Sequence, residues 1–172
     1  MSEGVERSWI VDHVVLRRTT PADLDFVVEL ERDAENARFI GQWSRDEHLA
    51  ALSQSDREHW IVAGDRGERL GYIILYDVRA LGQAVYVKRI VVGRKSSGVG
   101  RRALGVLLQH AFSELHADFV SLAVFPENQR AQRAYQAAGF VVAPLTSAER
   151  ETMRMCVDPF PEACLVMIAR PR

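Results

Sequence analysis

VKRIVVGRKSSGVG, residues 87–100, decides how the rest of the chain is read. Val87 to Val92 is a β-branched apolar run and reads as a strand. Gly93 ends it, and Arg94-Lys95-Ser96-Ser97 follows as a basic, hydroxylated segment. Gly98 and Gly100 then open a stretch in which Val99, Ala103, Val106, Leu107 and Ala111 repeat at helical spacing, so a helix of about 17 residues is expected. Strand, small-residue loop and helix in that order make an anion site. The first amides of a helix lack intrahelical partners and lie at the positive end of its dipole, which suits a phosphate or pyrophosphate. Glycine lets the backbone approach such a ligand closely. Lys95, Arg101 and Arg102 add positive charge nearby. A tight turn explains paired glycines equally well, so support must come from outside the stretch.

Two familiar phosphate loops do not fit. The P-loop needs a Lys followed by Ser or Thr directly after its second glycine, and none is present. The dinucleotide fingerprint would place its third glycine at Ala103 and its ribose-binding acid near Asp118. That unit normally begins a much longer chain, whereas here about half the sequence precedes it.

Upstream, His13 to Thr19 reads as a short strand. Thr20-Pro21-Ala22-Asp23 is a helix start, with a capping Thr, Pro at the first position and an acid in the first turn. Leu24, Val27, Val28 and Leu30 give that helix its apolar stripe, ending near Asp33. Ser44 to Glu47 has capping-box form and opens a second helix containing Leu49 and Leu52. His59 to Gly64 and Leu70 to Val78 are strands around the turn Asp65-Arg66-Gly67-Glu68. A turn at Ala80 to Gln83 precedes the strand Ala84 to Val92. Downstream, Phe119 to Val124 is a buried-type strand, and a helix runs from about Asn128 to Ala138 with Gly139 as its C′ residue. Phe140-Val141-Val142 and Ala163 to Ala169 are the last strands, separated by a poorly patterned, proline-containing stretch, Ala143 to Glu162. A meander followed by β-α-β implies a mixed sheet with helices on its faces.

The length of 172 residues suits one domain, and 48% apolar with 26% charged residues is ordinary for a globular chain. A net charge of −1 argues against a broad nucleic-acid surface. The five histidines show no metal-ligand spacing; His110 and His116 read as surface or packing residues. Cys156 and Cys164 form no zinc or redox pattern. No signal peptide or membrane-length segment is seen, so a cytoplasmic protein with no metal, nucleic-acid or membrane partner is expected.

The glycine loop and the later run NQRAQRAYQAAGF, residues 128–140, resemble in order and content the two signatures of the GNAT superfamily of acyl-CoA-dependent N-acyltransferases. The resemblance covers about residues 14 to 170 and is strongest from 85 to 142. Lys95-Ser96-Ser97-Gly98-Val99-Gly100 takes the place of the family's acetyl-CoA loop, with Lys95 where Gln or Arg is usual. Asn128, Ala131, Tyr135, Gly139 and Phe140 match the second signature.

The resemblance implies an α/β fold (an α+β mixed sheet), mostly antiparallel, of about six or seven strands splayed at the cofactor site and flanked by about four helices. It implies one N-acetyltransferase domain over 1–172, with a cofactor core at about 84–142 and acceptor-side helices at about 20–53. Acetyl-CoA would be the co-substrate and an amine the acceptor, and a homodimer is carried as a further expectation. Pantetheine amides would pair with backbone around Ile90, Val91 and Val92. The pyrophosphate would sit on amides of Lys95, Ser96, Ser97, Gly98, Val99, Gly100 and Arg101. Asn128 would face the pantetheine, as well as or instead of capping its helix, and Ala131 would let the cofactor pass. Tyr135 would protonate the departing thiolate, or else simply pack on the core; a phenol of pKa near ~10 suits the first task.

The family often places a Glu on the central strand to deprotonate the amine, and that position here is Tyr86. No carboxylate occurs from Leu81 to Val92. Strict alternation would put Tyr86, Lys88, Ile90 and Val92 on one strand face, and Val85, Val87, Arg89 and Val91 on the other. Glu35 ranks first as base, ahead of Asp33, Glu47, Glu127 or water alone. The acceptor would be set by residues about 33–53 and 143–162, where Phe39, Trp43 and Phe160 are candidate walls. Asp33, Glu35, Asp46 and Glu47 would suit a polyamine, an aminoglycoside or a peptide N-terminus, or form a solvated face. A CoA-binding domain that has lost catalysis is the alternative reading.

Overall fold

The computed structural model describes residues 13–79, 84–143, 146–148, 151 and 164–172. The lead-in at 1–9, the turn at 80–83, and most of the late loop 143–162, with Phe160 and Cys156, lie outside the described residues.

The chain runs β1 (Val14–Arg18), a single 3-10 turn (Pro21–Asp23), α1 (Leu24–Arg32), α2 (Ala34–Ala37), α3 (Arg45–Leu52), β2 (Arg57–Gly64), β3 (Arg69–Tyr76), β4 (Ala84–Val92), α4 (Val99–Ser113), β5 (Phe119–Val124), α5 (Gln129–Ala138), β6 (Val141–Val142) and β7 (Leu165–Ala169). The expected helix starts form as their chemistry dictates. The Thr20 amide donates to Asp23 Oδ2 at 2.9 Å, and Arg17 forks onto both Asp23 oxygens at 2.8 Å. Ser44 and Glu47 cap each other reciprocally, amide to side chain, at 2.6 and 3.2 Å. At the far end of α5, Gly139 takes φ +104° and the Phe140 amide reaches back to the Tyr135 carbonyl at 3.0 Å, closing the helix. The short α2 was not expected; its segment reads as merely polar.

Seven strands form one sheet in the order β1-β2-β3-β4-β5-β7-β6. The β4–β5 pair is parallel and every other pairing is antiparallel, the mixed and mostly antiparallel arrangement expected. On one face, Val62, Ile73, Leu75, Val87 and Leu122 pack against Val99, Ala103, Leu104 and Leu107 of α4. Leu104 and Leu107 are almost fully buried, each contributing about 1.5–3 kcal/mol. On the other face, Ile61, Tyr72, Ile74, Tyr86 and Val91 pack beneath α1 and the segment leading to Trp43.

Strict alternation along β4 is corrected by the pairing. Leu75 pairs with Val87 and Ile74 with Arg89, which leaves Lys88 as an extra residue. A bulge of this kind reverses the facing of everything beyond it. Tyr86 and Val91 therefore share the α1 face, joined there by Arg89, which reaches Glu31 of α1. Val85, Val87, Ile90 and Val92 belong to the α4 side.

Candidate active site

β4 pairs with β5 from Ala84–Phe119 to Val87–Leu122 and no further. Past the Lys88 bulge the two strands part. The opening is a cleft of about 610 Å³, walled by Lys88 to Val92 on one side and Ala123 to Phe125 on the other. The glycine loop closes one end and α5 lies along the edge. All the cofactor-binding residues expected from sequence, except Val99, line this cleft; Val99, the first residue of α4, is buried in the core.

Gly98 is the N-cap of α4, at φ +80°, and no side chain caps the helix. The first-turn amides are thereby left for a ligand. A Cβ on Gly98 would meet nothing within 4 Å, so the open space above the loop is real room. Ser97 Oγ turns back to the Arg94 carbonyl at 2.8 Å, consistent with a loop that works through its backbone. Lys95 does not point out over the loop as its charge suggests. Its ammonium donates to the Val92 carbonyl at 2.6 Å and to Asn36 Oδ1, tying the loop to α2. Burial first, and then the nearby Arg130 charge, push its pKa down.

On the α5 side, Asn128 Oδ1 accepts from the Ala131 amide at 3.2 Å, so it caps the helix while lining the cleft. Ala131 and Tyr135 follow along the same helix face, at i+3 and i+7. Tyr135 packs against Phe140 with ring centroids 5.9 Å apart. Burial pushes its phenol up to about 12. Tyr86 faces the same space; burial, then Cys164 and Tyr135, raise its pKa well above the ordinary tyrosine value.

Glu35 stands at the mouth of the cleft, largely exposed, with its carboxylate 3.6 Å from Arg130 across the opening. Phe39 and Trp43 both line the cleft, and Phe39 meets Phe125 across it at 6.5 Å. Glu127 is exposed and lies off the wall.

Sequence reading passed over the polar cluster behind this wall. Glu31 is 1% exposed and collects Arg89 Nη1 at 2.5 Å, the Tyr72 hydroxyl at 2.5 Å and the Trp43 amide at 2.8 Å. His48 Nε2 lies 3.1 Å from the same carboxylate, though off the line of a good hydrogen bond. His48 Nδ1 contacts His59 Nε2 at 3.1 Å, and His59 Nδ1 contacts Thr19 Oγ1 at 2.8 Å. Burial works to raise the Glu31 carboxyl, but the close His48 imidazole, hydrogen bonds from Tyr72 and the Trp43 amide, and the Arg89 charge hold it below its usual range. Burial, then neighbouring His48, hold His59 down at about 3. One signal was available: Glu31 continues the buried stripe Leu24, Val27, Val28 at the next helical turn, where an apolar residue is due.

The family description "Acetyltransferase (GNAT) domain" matches residues 13–141. Solved structures share the fold at low identity. A spermidine N-acetyltransferase from Vibrio cholerae, in complex with CoA and spermine, superposes with a TM-score of 0.73 at 18% identity, covering 92% of this chain and 96% of that one. AAC(6')-Ib, in complex with ribostamycin and coenzyme A, gives 0.72 at 19% identity, covering 91% and 93%. No curated protein sequence matches the chain. With the split sheet, the uncapped α4 and a family match over three-quarters of its length, this chain belongs to the GNAT acetyltransferase domain family.

Proposed function

We propose that this protein is a single-domain N-acetyltransferase that moves the acetyl group of acetyl-CoA onto a primary amine by direct attack. The observation that carries the reading is the joint one of a parted β4–β5 pair, an uncapped helix start at one end and the Tyr135 phenol on the opposite wall. The backbone of Ile90, Val91 and Val92 faces the gap beyond the last β4–β5 pair and can pair with pantetheine amides. The amides from Lys95 through Arg101 can hold the pyrophosphate, aided by the Arg94 and Arg101 charges. Asn128 and Ala131 border the pantetheine path. The relatives bound to CoA support this assignment by fold alone.

The amine approaches from the α1 face, past Trp43 and Tyr86. Its nitrogen forms a bond to the thioester carbonyl carbon, the C–S bond breaks, and Tyr135 O–H delivers a proton to the departing thiolate sulfur. The proton lost by the amine passes to water beside Tyr86. Glu35, held by Arg130 at the cleft mouth, is the carboxylate to test against that route. A cytoplasmic location and a homodimer belong to the same proposal; among the described residues no helix is long and apolar enough to cross a membrane.

A second reading, an acyl-CoA sensor without catalysis, is favoured by one feature: β4 carries no carboxylate. Release of CoA from acetyl-CoA in the presence of an amine panel separates the two. Transfer predicts amine-dependent release and a raised Tm with acetyl-CoA. A raised Tm with no release from any amine assigns the sensor instead. Within the active case, Glu35→Gln lowers kcat/KM most at low pH if it is the base, whereas Tyr86→Phe costs more if water serves.

A further inference from the structure

We propose that Arg89, held from behind by Glu31 and Trp43, reads the acceptor, and that the amine it selects carries a carbonyl oxygen on the adjacent carbon, as in an amino-acid amide or a peptide N-terminus. The inference rests on the acetyl-transfer reading and names the substrate class for that site.

The geometry is specific. Arg89 lies on the cleft wall, on the sheet face that the acceptor approaches, because the Lys88 bulge turns it there. Its Nη1 is taken by Glu31, and its guanidinium carbon sits 4.3 Å from the Trp43 ring centroid. A guanidinium has five N–H donors in a planar fork. Nη2 lies beside Gly41, where a Cβ would come within 3.3 Å of it, and Arg89 is among the residues that line the cleft. A guanidinium already neutralised by a buried carboxylate is a poor partner for a second full anion and a good donor to a neutral carbonyl. Glu31 also fixes the Trp43 amide, so both walls of the donor are held by one buried carboxylate.

Charge points the same way. Among the described cleft-lining residues the sole carboxylate is Glu35, and it is paired with Arg130. Lys88 and Arg89 line the cleft instead, on the β4 side. A polyamine would meet these cations there, and Glu31 behind them is already engaged by Arg89. The absent base on β4 fits as well. At pH 7 about one α-amine in ten is neutral, against about one side-chain-type amine in 2,500, so an α-amine needs no strong base to attack.

The test is kcat/KM at pH 7 for glycinamide, a triglycine peptide, propargylamine, propylamine and spermidine, with acetyl-CoA binding followed separately by Tm. Propargylamine has a similarly low basicity to glycinamide but no carbonyl, so the pair isolates the Arg89 contact. Glycinamide or the peptide is expected to exceed propargylamine by about 10- to 100-fold, as for a lost charge-assisted hydrogen bond. Peptide over glycinamide by a further factor of ten assigns the acceptor to chain termini; parity assigns it to small amino amides. Arg89→Met paired with Glu31→Gln, which strands no buried charge, should collapse the glycinamide-to-propargylamine ratio toward one. Spermidine or propylamine matching glycinamide in the wild type overturns the proposal, whatever the variant does. No release from any amine, with Tm still raised by acetyl-CoA, overturns the transfer reading and this inference with it.

Discussion

Tyr135 shows how burial selects a chemical role for a single residue. Held up to about 12, its hydroxyl stays protonated across the neutral range, which keeps it a proton donor rather than a base but makes it a weaker acid than a free phenol. A packing role would need only the ring, which meets Phe140. Tyr135→Phe keeps the ring and removes the donor. Single-turnover transfer should fall on the order of 100-fold while acetyl-CoA affinity is retained. Equal single-turnover rates for variant and wild type would return Tyr135 to a packing role. Asn128, Ala131 and Tyr135 were legible in sequence because one helix sets their spacing. Glu31 was not, because its partners Trp43 and His48, Tyr72, and Arg89 come from three separate stretches that only the fold brings together.

At the scale of elements, the site depends on two local departures from regularity. The first is the Lys88 bulge, which decides that Arg89 faces α1. Nothing in the run Val85 to Val92 marks it, since every residue there but Lys88 and Arg89 is apolar or aromatic and fits either register. The capping box, the C′ glycine and the helix-opening glycines announce themselves by residue type, and the structure has each where it was expected. The second departure is Gly98, whose positive φ turns the chain into α4 without a capping side chain. Substituting Gly98→Asp costs about 1–2 kcal/mol of backbone strain. A Cβ would enter open space, so the fold should survive. What should not survive is acetyl-CoA binding, because the new carboxylate would sit in the proposed pyrophosphate site. Circular dichroism should therefore be preserved and the acetyl-CoA-dependent rise in Tm lost; a retained rise removes the loop from the cofactor site.

Across the whole molecule, the buried polar cluster joins the cleft wall to global stability. His59 packs between β1 and α3, stacked on Tyr72 at 5.6 Å, with Thr19, His48, Glu31 and Arg89 around it. Its folded pKa of about 3 lies below the ordinary 6.5, so in acid the unfolded chain takes up the proton first. The unfolded state then binds more protons, and stability must fall as pH drops, by up to about 1.4 kcal/mol per pH unit between the two values. Glu31 adds to this only lower down: its depressed carboxyl contributes stability that is lost as pH falls below its ordinary 4.5. Between about pH 6.5 and 4.5 the slope is therefore the signature of buried neutral imidazole rather than of the carboxylate. His59→Gln removes the titrating ring while keeping a polar side chain toward Thr19 and His48. Its stability at pH 7 should be lower, since the cluster is imperfectly refilled, but its decline toward pH 5 should be shallower than that of the wild type. Urea midpoints measured from pH 7.5 to 5 give both slopes, and parallel profiles would show that His59 does not govern acid sensitivity.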